Sequence, residues 1–289
     1  MRNGNPSNYL LFTIIGTILL TLPGCSIKLT QSIKNITYLQ PDSVDQKPAQ
    51  RLNVFVPRKK RKPLDVFVFI HGGNWNSGKK SLYNVFGRKM AQRDIATVII
   101  EYPLSPGANY HDMASAAATS VKWVKENIDK YGGNPEKIVV SGHSAGGHLA
   151  ALITADNSYF DFLQIQNPIK GAVLIDAAGL DLPTYIQSRE INEGHTYANT
   201  FSMNPENWKR ASPLHHLHHN VPPMLIFEGG RSILGIKQSI NSFRTSLNSF
   251  DANYTYIFQK RKKHVPMMTQ FLNSWSPRYR EIRKFMNEI

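Results

Sequence analysis

The sequence predicts a three-layer α/β fold: a mainly parallel central sheet, helices on both faces and a short cap-like insertion. Three observations predict it. Continuous runs of β-branched and aromatic residues recur, at 66–70 and 96–100 most clearly, as in strands buried on both faces. Helical segments separate these runs, which is the alternation of a parallel sheet. Late in the chain, 181–222 breaks the alternation with many His, Asn and Pro. In such an architecture that stretch lies over the carboxyl ends of the strands, as a cap.

Composition agrees with one large domain. The chain has 289 residues, of which 41% are hydrophobic and 19% charged, too few charges for a disordered chain. The formal net charge of +14 attracts anionic surfaces and says nothing about the fold. A nucleic-acid role would call for aromatics interleaved with the basic residues on a recognisable module, and the sequence contains none, so no nucleic-acid partner is expected.

The single cysteine, Cys25, excludes an intramolecular disulfide. Before it, 9–22 is almost entirely apolar and ends in Leu22-Pro23-Gly24-Cys25. That run is short for a bilayer span and the right length for a signal-peptide core. A small residue directly before Cys resembles the bacterial lipobox. The expected division is therefore 1–24 signal peptide, 25–35 tether with Cys25 lipidated, and 36–289 the folded domain. The lipoprotein resemblance implies a bacterial cell envelope, and Ser26 implies the outer membrane in a Gram-negative host.

The elements follow in order. An early strand is expected near 36–39 and a second at 52–56, stopped by Pro57. Strand 66–70 leads to His71-Gly72-Gly73. Helix 82–93, strand 96–100 and a long alanine-rich helix over 113–131 come next, the last closed by Gly132-Gly133-Asn134-Pro135. Strand 137–141 precedes helix 145–155. Strands at 171–175, 224–227 and 254–258, helix 236–247 and an amphipathic terminal helix over 277–289 complete the domain.

Gly142-His143-Ser144-Ala145-Gly146 stands between a strand and a helix. This is the strand–turn–helix setting in which a serine is presented as a nucleophile at a sharp turn. The glycines keep the flanking elements from colliding, and the helix N-terminus favours developing negative charge. Ser144 is the candidate nucleophile. His71-Gly72-Gly73-Asn74-Trp75 is the upstream glycine-rich loop that pairs with such a serine. Gly73 and Asn74 from this loop, with Ala145, are the candidate oxyanion donors. His71 reads as structural and Trp75 as packing. His143 and His148 read as packing around the turn or as substrate contacts.

Ten histidines compete for the base. His264 follows the last predicted strand by a short loop, which puts it at the same sheet edge as Ser144. His215, His216, His218 and His219 lie in the insertion, before the next strand, where the base does not belong. No metal is expected there, because paired histidines in a polar loop lack supporting Cys or carboxylates.

With these residues in place, the chain resembles the esterase/lipase superfamily of α/β-hydrolases, in its kynurenine-formamidase-like and hormone-sensitive-lipase-like branches. The matching stretches are His71-Gly72-Gly73-Asn74-Trp75, Glu101-Tyr102-Pro103-Leu104-Ser105-Pro106, Gly142-His143-Ser144-Ala145-Gly146-Gly147-His148-Leu149-Ala150, Ser212-Pro213-Leu214 and the His264 loop. The resemblance implies cleavage of small to medium carboxylic esters or activated amides through an acyl-enzyme, without a cofactor. A hydrolase-fold binding protein of the cell envelope, or an amidase or peptidase, is the alternative.

In such enzymes the acid usually lies a few residues past the strand here placed at 224–227. Glu228-Gly229-Gly230-Arg231-Ser232-Ile233-Leu234-Gly235 holds no aspartate, and Ser232 occupies the expected place. Three readings remain open: Asp176 at the end of the neighbouring strand, Glu228, or no acid at all. Geometry favours Asp176 over Asp181 and Asp251. The clusters Arg58-Lys59-Lys60-Arg61-Lys62 and Lys260-Arg261-Lys262-Lys263 read as solvated turns, or as attraction to an anionic lipid or polymer beside the lipidated N-terminus.

Overall fold

The computed structural model describes residues 28–42, 48–59, 62–187 and 194–289. Eight strands make one sheet: β1 (Thr30–Leu39), β2 (Gln50–Pro57), β3 (Leu64–Ile70), β4 (Ala96–Ile100), β5 (Gly133–His143), β6 (Ile169–Ile175), β7 (Met224–Gly229) and β8 (Tyr254–Gln259). Their order is β1-β2-β4-β3-β5-β6-β7-β8. From β4 to β8 every neighbouring pair is parallel, while β1 and β2 are antiparallel additions at one edge.

Alternation along β3 explains its unbroken apolar run. Val66, Val68 and Ile70 enter one hydrophobic cluster, and Phe67 and Phe69 enter the other. Each face therefore needs a helical cover. The first receives Val121 from α2 (Tyr110–Asn127), Leu149 from α3 (Ala145–Ala155) and Ile240 from α8 (Leu234–Ser249). The second receives Phe86 and Met90 from α1 (Asn84–Ala91) and Ile282 and Phe285 from α10 (Arg278–Glu288). In α10 the buried positions Tyr279, Ile282, Phe285 and Met286 form the single stripe of an amphipathic surface helix. Asn109 starts α2 with a reciprocal capping box to Asp112.

Several boundaries differ from the sequence expectation. The first strand begins at Thr30, so 30–35 belongs to the sheet and not to a tether. Ile33 and Ile36 pack on the core, and pairing with β2 fixes the register. The long helix stops at Asn127 and passes into a 3₁₀ turn, Ile128–Tyr131. A short helix, α4 (Ser158–Phe162), was not anticipated. The insertion is more regular than its composition suggests. It holds α5 (Leu182–Gln187), α6 (Thr196–Phe201) and α7 (Pro205–Ala211), each too short to show a period. The signal-peptide segment, Cys25, Lys60 and Arg61 lie outside the described residues.

The antiparallel pairing has a directional consequence. Thr30 sits opposite Pro57, and Leu52 opposite Ile100. The chain thus enters the sheet at the edge opposite the carboxyl ends of β3, β4 and β5. Arg58, whose amide donates to the Leu29 carbonyl at 2.9 Å, marks that same entry edge.

Candidate active site

β5 ends at His143 and α3 begins at Ala145, so Ser144 is the whole of the turn between them. Its backbone is forced to φ 57 and ψ −123, a sparsely populated conformation for a residue with a side chain. Three hydrogen bonds hold it there. The Ser144 amide donates to the Ile175 carbonyl at 3.2 Å, and its carbonyl accepts from the amides of His148 and Ala178, each at 3.1 Å. Gly146 packs so closely under β3 that a Cβ would lie 2.1 Å from the Ile70 carbonyl oxygen. This is the close approach for which the sequence motif needs glycine.

The Ser144 hydroxyl lies 2.8 Å from Nε2 of His264, the first residue of α9 (His264–Thr269). On the other side of the ring, Nδ1 lies 2.6 Å from Oδ2 of Asp176. The carboxylate accepts from Nδ1–H, which leaves Nε2 free to accept from Ser144. Of the acids weighed from sequence, the structure brings Asp176 to the histidine. Glu228 instead accepts from the Tyr256 hydroxyl at 2.8 Å, and burial raises its carboxyl above the usual range. Asp181 caps the insertion by accepting from the Thr184 amide at 3.3 Å.

Asp176 is wholly buried, at φ 47 just beyond β6. Both of its oxygens are engaged. Oδ1 accepts from the Gly229 amide at 2.8 Å, and Oδ2 accepts from Ser232 Oγ at 2.5 Å as well as from His264. Ser232, which stands where the acid was expected, thus donates to Asp176.

The loop after β3 supplies the other side. Gly73 has φ 140, and a Cβ there would meet the Ser77 carbonyl oxygen at 2.0 Å. Its own carbonyl accepts from the amides of Asn76 and Ser77, which folds the loop back on itself. Gly73 and Asn74 line the same cavity as Ser144 and His264. Ala145 opens α3, so its amide is among the first of the helix, without an intrahelical acceptor. Trp75 is fully buried against His148, Tyr185, Tyr197 and Phe201, as a packing residue should be. His71 stacks on Tyr102 and its Nδ1–H donates to the Gly72 carbonyl at 3.0 Å, a structural role.

A family model described as BD-FAE matches residues 52–245. The chain belongs to the BD-FAE family. It shares the fold of the α/β-hydrolase esterase/lipase superfamily. A truncated carbohydrate esterase from gut microbiota superimposes with a TM-score of 0.76 at 18% identity, over 92% of this chain and 98% of that one. Esterase B from Lactobacillus rhamnosis gives 0.73 at 16% identity, over 90% and 87%. In sequence, Esterase LipC of Mycobacterium tuberculosis is 31% identical over 68% of this chain and 51% of its own length. A probable isoprenylcysteine alpha-carbonyl methylesterase of Arabidopsis thaliana is 26% identical over 77% and 50%. The chain thus spans about half the length of these curated relatives.

In this BD-FAE member the cavity has a volume of about 690 Å³ and a mostly apolar wall, including Leu82, Phe86, Met268 and Leu272. Two lining residues escaped the sequence reading. Tyr185 and Tyr197 reach in from the insertion, with hydroxyls 3.2 Å apart, and Tyr197 donates to Asn74 Oδ1 at 2.9 Å. Their only signal was aromatic residues in a polar stretch. His143 stacks on His264 with ring centroids 4.6 Å apart, and its Nε2–H donates to the His264 carbonyl at 3.1 Å. Burial, helped by the neighbouring His264, lowers the His143 pKa to about 4. His148 is likewise lowered to about 4 by burial, and it ties Trp75 Nε1 to the Ala211 carbonyl. The insertion histidines serve different partners. His216 donates to the Arg210 carbonyl and His219 to the Phe250 carbonyl.

Proposed function

We propose that the chain is a serine carboxylesterase for small to medium acyl esters, with Ser144, His264 and Asp176 as its catalytic triad. One observation carries the reading: an unbroken hydrogen-bonded line from Ser144 Oγ through His264 to the buried Asp176, opening into an apolar cavity. Ser144 Oγ attacks the ester carbonyl carbon while His264 Nε2 takes its proton. The amides of Gly73, Asn74 and Ala145 are the donors aimed at the resulting oxyanion, a contribution of about 3 kcal/mol for each well-placed donor. The tetrahedral carbon then expels the alkoxide, which receives the proton from Nε2 and leaves as the alcohol. Water, activated by the same imidazole, releases the acid and restores the serine. Asp176 holds the ring tautomer and stabilises the imidazolium.

The esterase names of LipC, the methylesterase and the carbohydrate esterase agree with this chemistry. Labelling with a fluorophosphonate probe tests it. Wild type is expected to label and Ser144→Ala not to label. Equal labelling of both, or no turnover on a panel of short acyl esters, overturns the reading.

We further propose that Cys25 carries a lipid anchor in a bacterial cell envelope, from the apolar run that precedes it in the sequence. Arg58, Lys59 and Lys62, near the edge where the chain enters the sheet, would then face anionic headgroups. Mass spectrometry of the mature N-terminus is the test, and an unlipidated Cys25 removes the proposal.

A further inference from the structure

Among the described residues, the mouth of the cavity joins exposed apolar side chains to exposed cations close by in the chain. Apart from His143, Ser144, Tyr185 and Tyr197, every lining residue comes from 72–93, 229–250 or 252–280. These three segments contain no Asp or Glu. They do place exposed cations beside the lining residues. Lys79 follows Gly78, Lys263 precedes His264, and Arg231, Lys260 and Arg261 are exposed close by in the chain. The Arg231 amide donates to the Lys262 carbonyl at 2.9 Å, which binds the two basic segments together.

The described carboxylates of the neighbouring segments are engaged elsewhere or buried. Glu101 is held by Lys80 at 2.7 Å. Glu228 is buried and accepts from the Tyr256 hydroxyl at 2.8 Å. Asp176 is committed to His264, and on the described part of the insertion Asp181 is buried and Glu206 is paired with Lys209. A cleft lined by one sign of charge with low-dielectric walls concentrates the opposite ion.

The apolar contribution is equally marked. Leu82, Ile233, Val265 and Leu272 line the cavity and are still 64%, 42%, 61% and 57% exposed. They give the cavity an exposed apolar collar.

We propose that the preferred substrates are anionic amphiphilic esters. An apolar chain lies against Leu82, Val265, Met268 and Leu272, and a carboxylate or phosphate elsewhere on the molecule is held at the rim by Lys79, Arg231 and the Lys260-Arg261-Lys262-Lys263 turn. This rests on the esterase reading above and names its substrate class.

The test compares two monomeric esters that share one acyl chain, 1-hexanoylglycerol and 1-hexanoylglycerol 3-phosphate, on the full chain. The phosphate is expected to show a kcat/KM about tenfold higher at low salt. The ratio is expected to fall toward one in about 0.5 M NaCl, where screening is complete within a few ångströms. It is expected to fall likewise in the triple variant Lys260→Gln, Arg261→Gln, Lys263→Gln. Because the readout is a ratio within one preparation, a smaller folded fraction cancels. Equal kcat/KM for the two esters overturns the proposal, as does a preference indifferent to salt and to the triple variant. Preference that emerges only with phosphatidylglycerol vesicles identifies a lipid surface as the partner and also overturns it. Hydrolysis of neither ester refutes the esterase reading itself.

Discussion

Ser232 Oγ and His264 Nδ1 share one acceptor, Oδ2 of Asp176, at 2.5 and 2.6 Å. Ser232, at the position where the resemblance places the acid, is a donor to the carboxylate at the end of the neighbouring strand. Ser232→Ala removes one hydrogen bond to a buried carboxylate and is expected to cost about 1–2 kcal/mol of stability. It should lower kcat by less than about tenfold, because the histidine keeps its own contact. Thermal melting and steady-state kinetics on one ester check both figures.

Asp176 and Glu228 should separate cleanly. Asp176→Ala leaves His264 without tautomer control, and kcat is expected to fall by about 10⁴. Glu228→Gln keeps a partner for Tyr256 and touches neither Ser144 nor His264, so kcat should stay within about twofold of wild type. A large loss in Glu228→Gln would reverse the assignment of the acid.

Tyr197 ties the insertion to the glycine-rich loop after β3 through Asn74. Tyr197→Phe keeps the packing on Trp75 and removes only the hydroxyl. A loosened Asn74 peptide predicts a fall in kcat of about three- to tenfold with KM little changed. A rise in KM alone would place Tyr197 in substrate binding instead.

His148 makes the fold sensitive to acid. Burial holds its folded-state pKa at about 4, below the ordinary 6.5. The unfolded chain therefore takes up a proton near pH 6.5 that the folded chain refuses until about pH 4. Stability is fully present above 6.5 and declines as the pH falls through that window, by up to about 3 kcal/mol for this residue. His143 adds a decline of the same sign over the same window. Melting temperatures between pH 7 and 4 should drop less steeply in His148→Gln than in wild type.

Ser144 also stores strain. Ser144→Gly relieves φ 57 at the turn, and is expected to abolish activity while stabilising the chain by about 1 kcal/mol. An unchanged or lower melting temperature would show that the turn is not strained.

Much of this site was legible in the sequence because chemistry dictates residue type locally. Gly146 has no room for a Cβ, and Ser144 must stand between strand and helix, so both are readable in a short motif. The buried strands β3 and β4 announce themselves because both faces are covered. Asp176 was legible only as one of three open readings. Its partnership with His264 joins residues 88 positions apart across two strands, and no local pattern records such a contact. The helices of the insertion were not legible at all. At six or seven residues each, they have no periodicity, and burial of Tyr197 and Phe201 against Trp75 supplies what propensity does not. The start of β1 was missed for a related reason: its alternation is weak, and pairing with β2 alone extends it to Thr30.

The entry of the chain opposite the strand ends has a consequence for reach. β1 has ten residues, about 30 Å of extended chain, and only a handful of residues separate Thr30 from Cys25. Thr30 and the reaction mouth lie at opposite ends of the strands, so a chain held at Cys25, as proposed, would be tethered from the end away from the mouth. The enzyme would then turn its back on the leaflet that carries it and draw its esters from the surrounding solution.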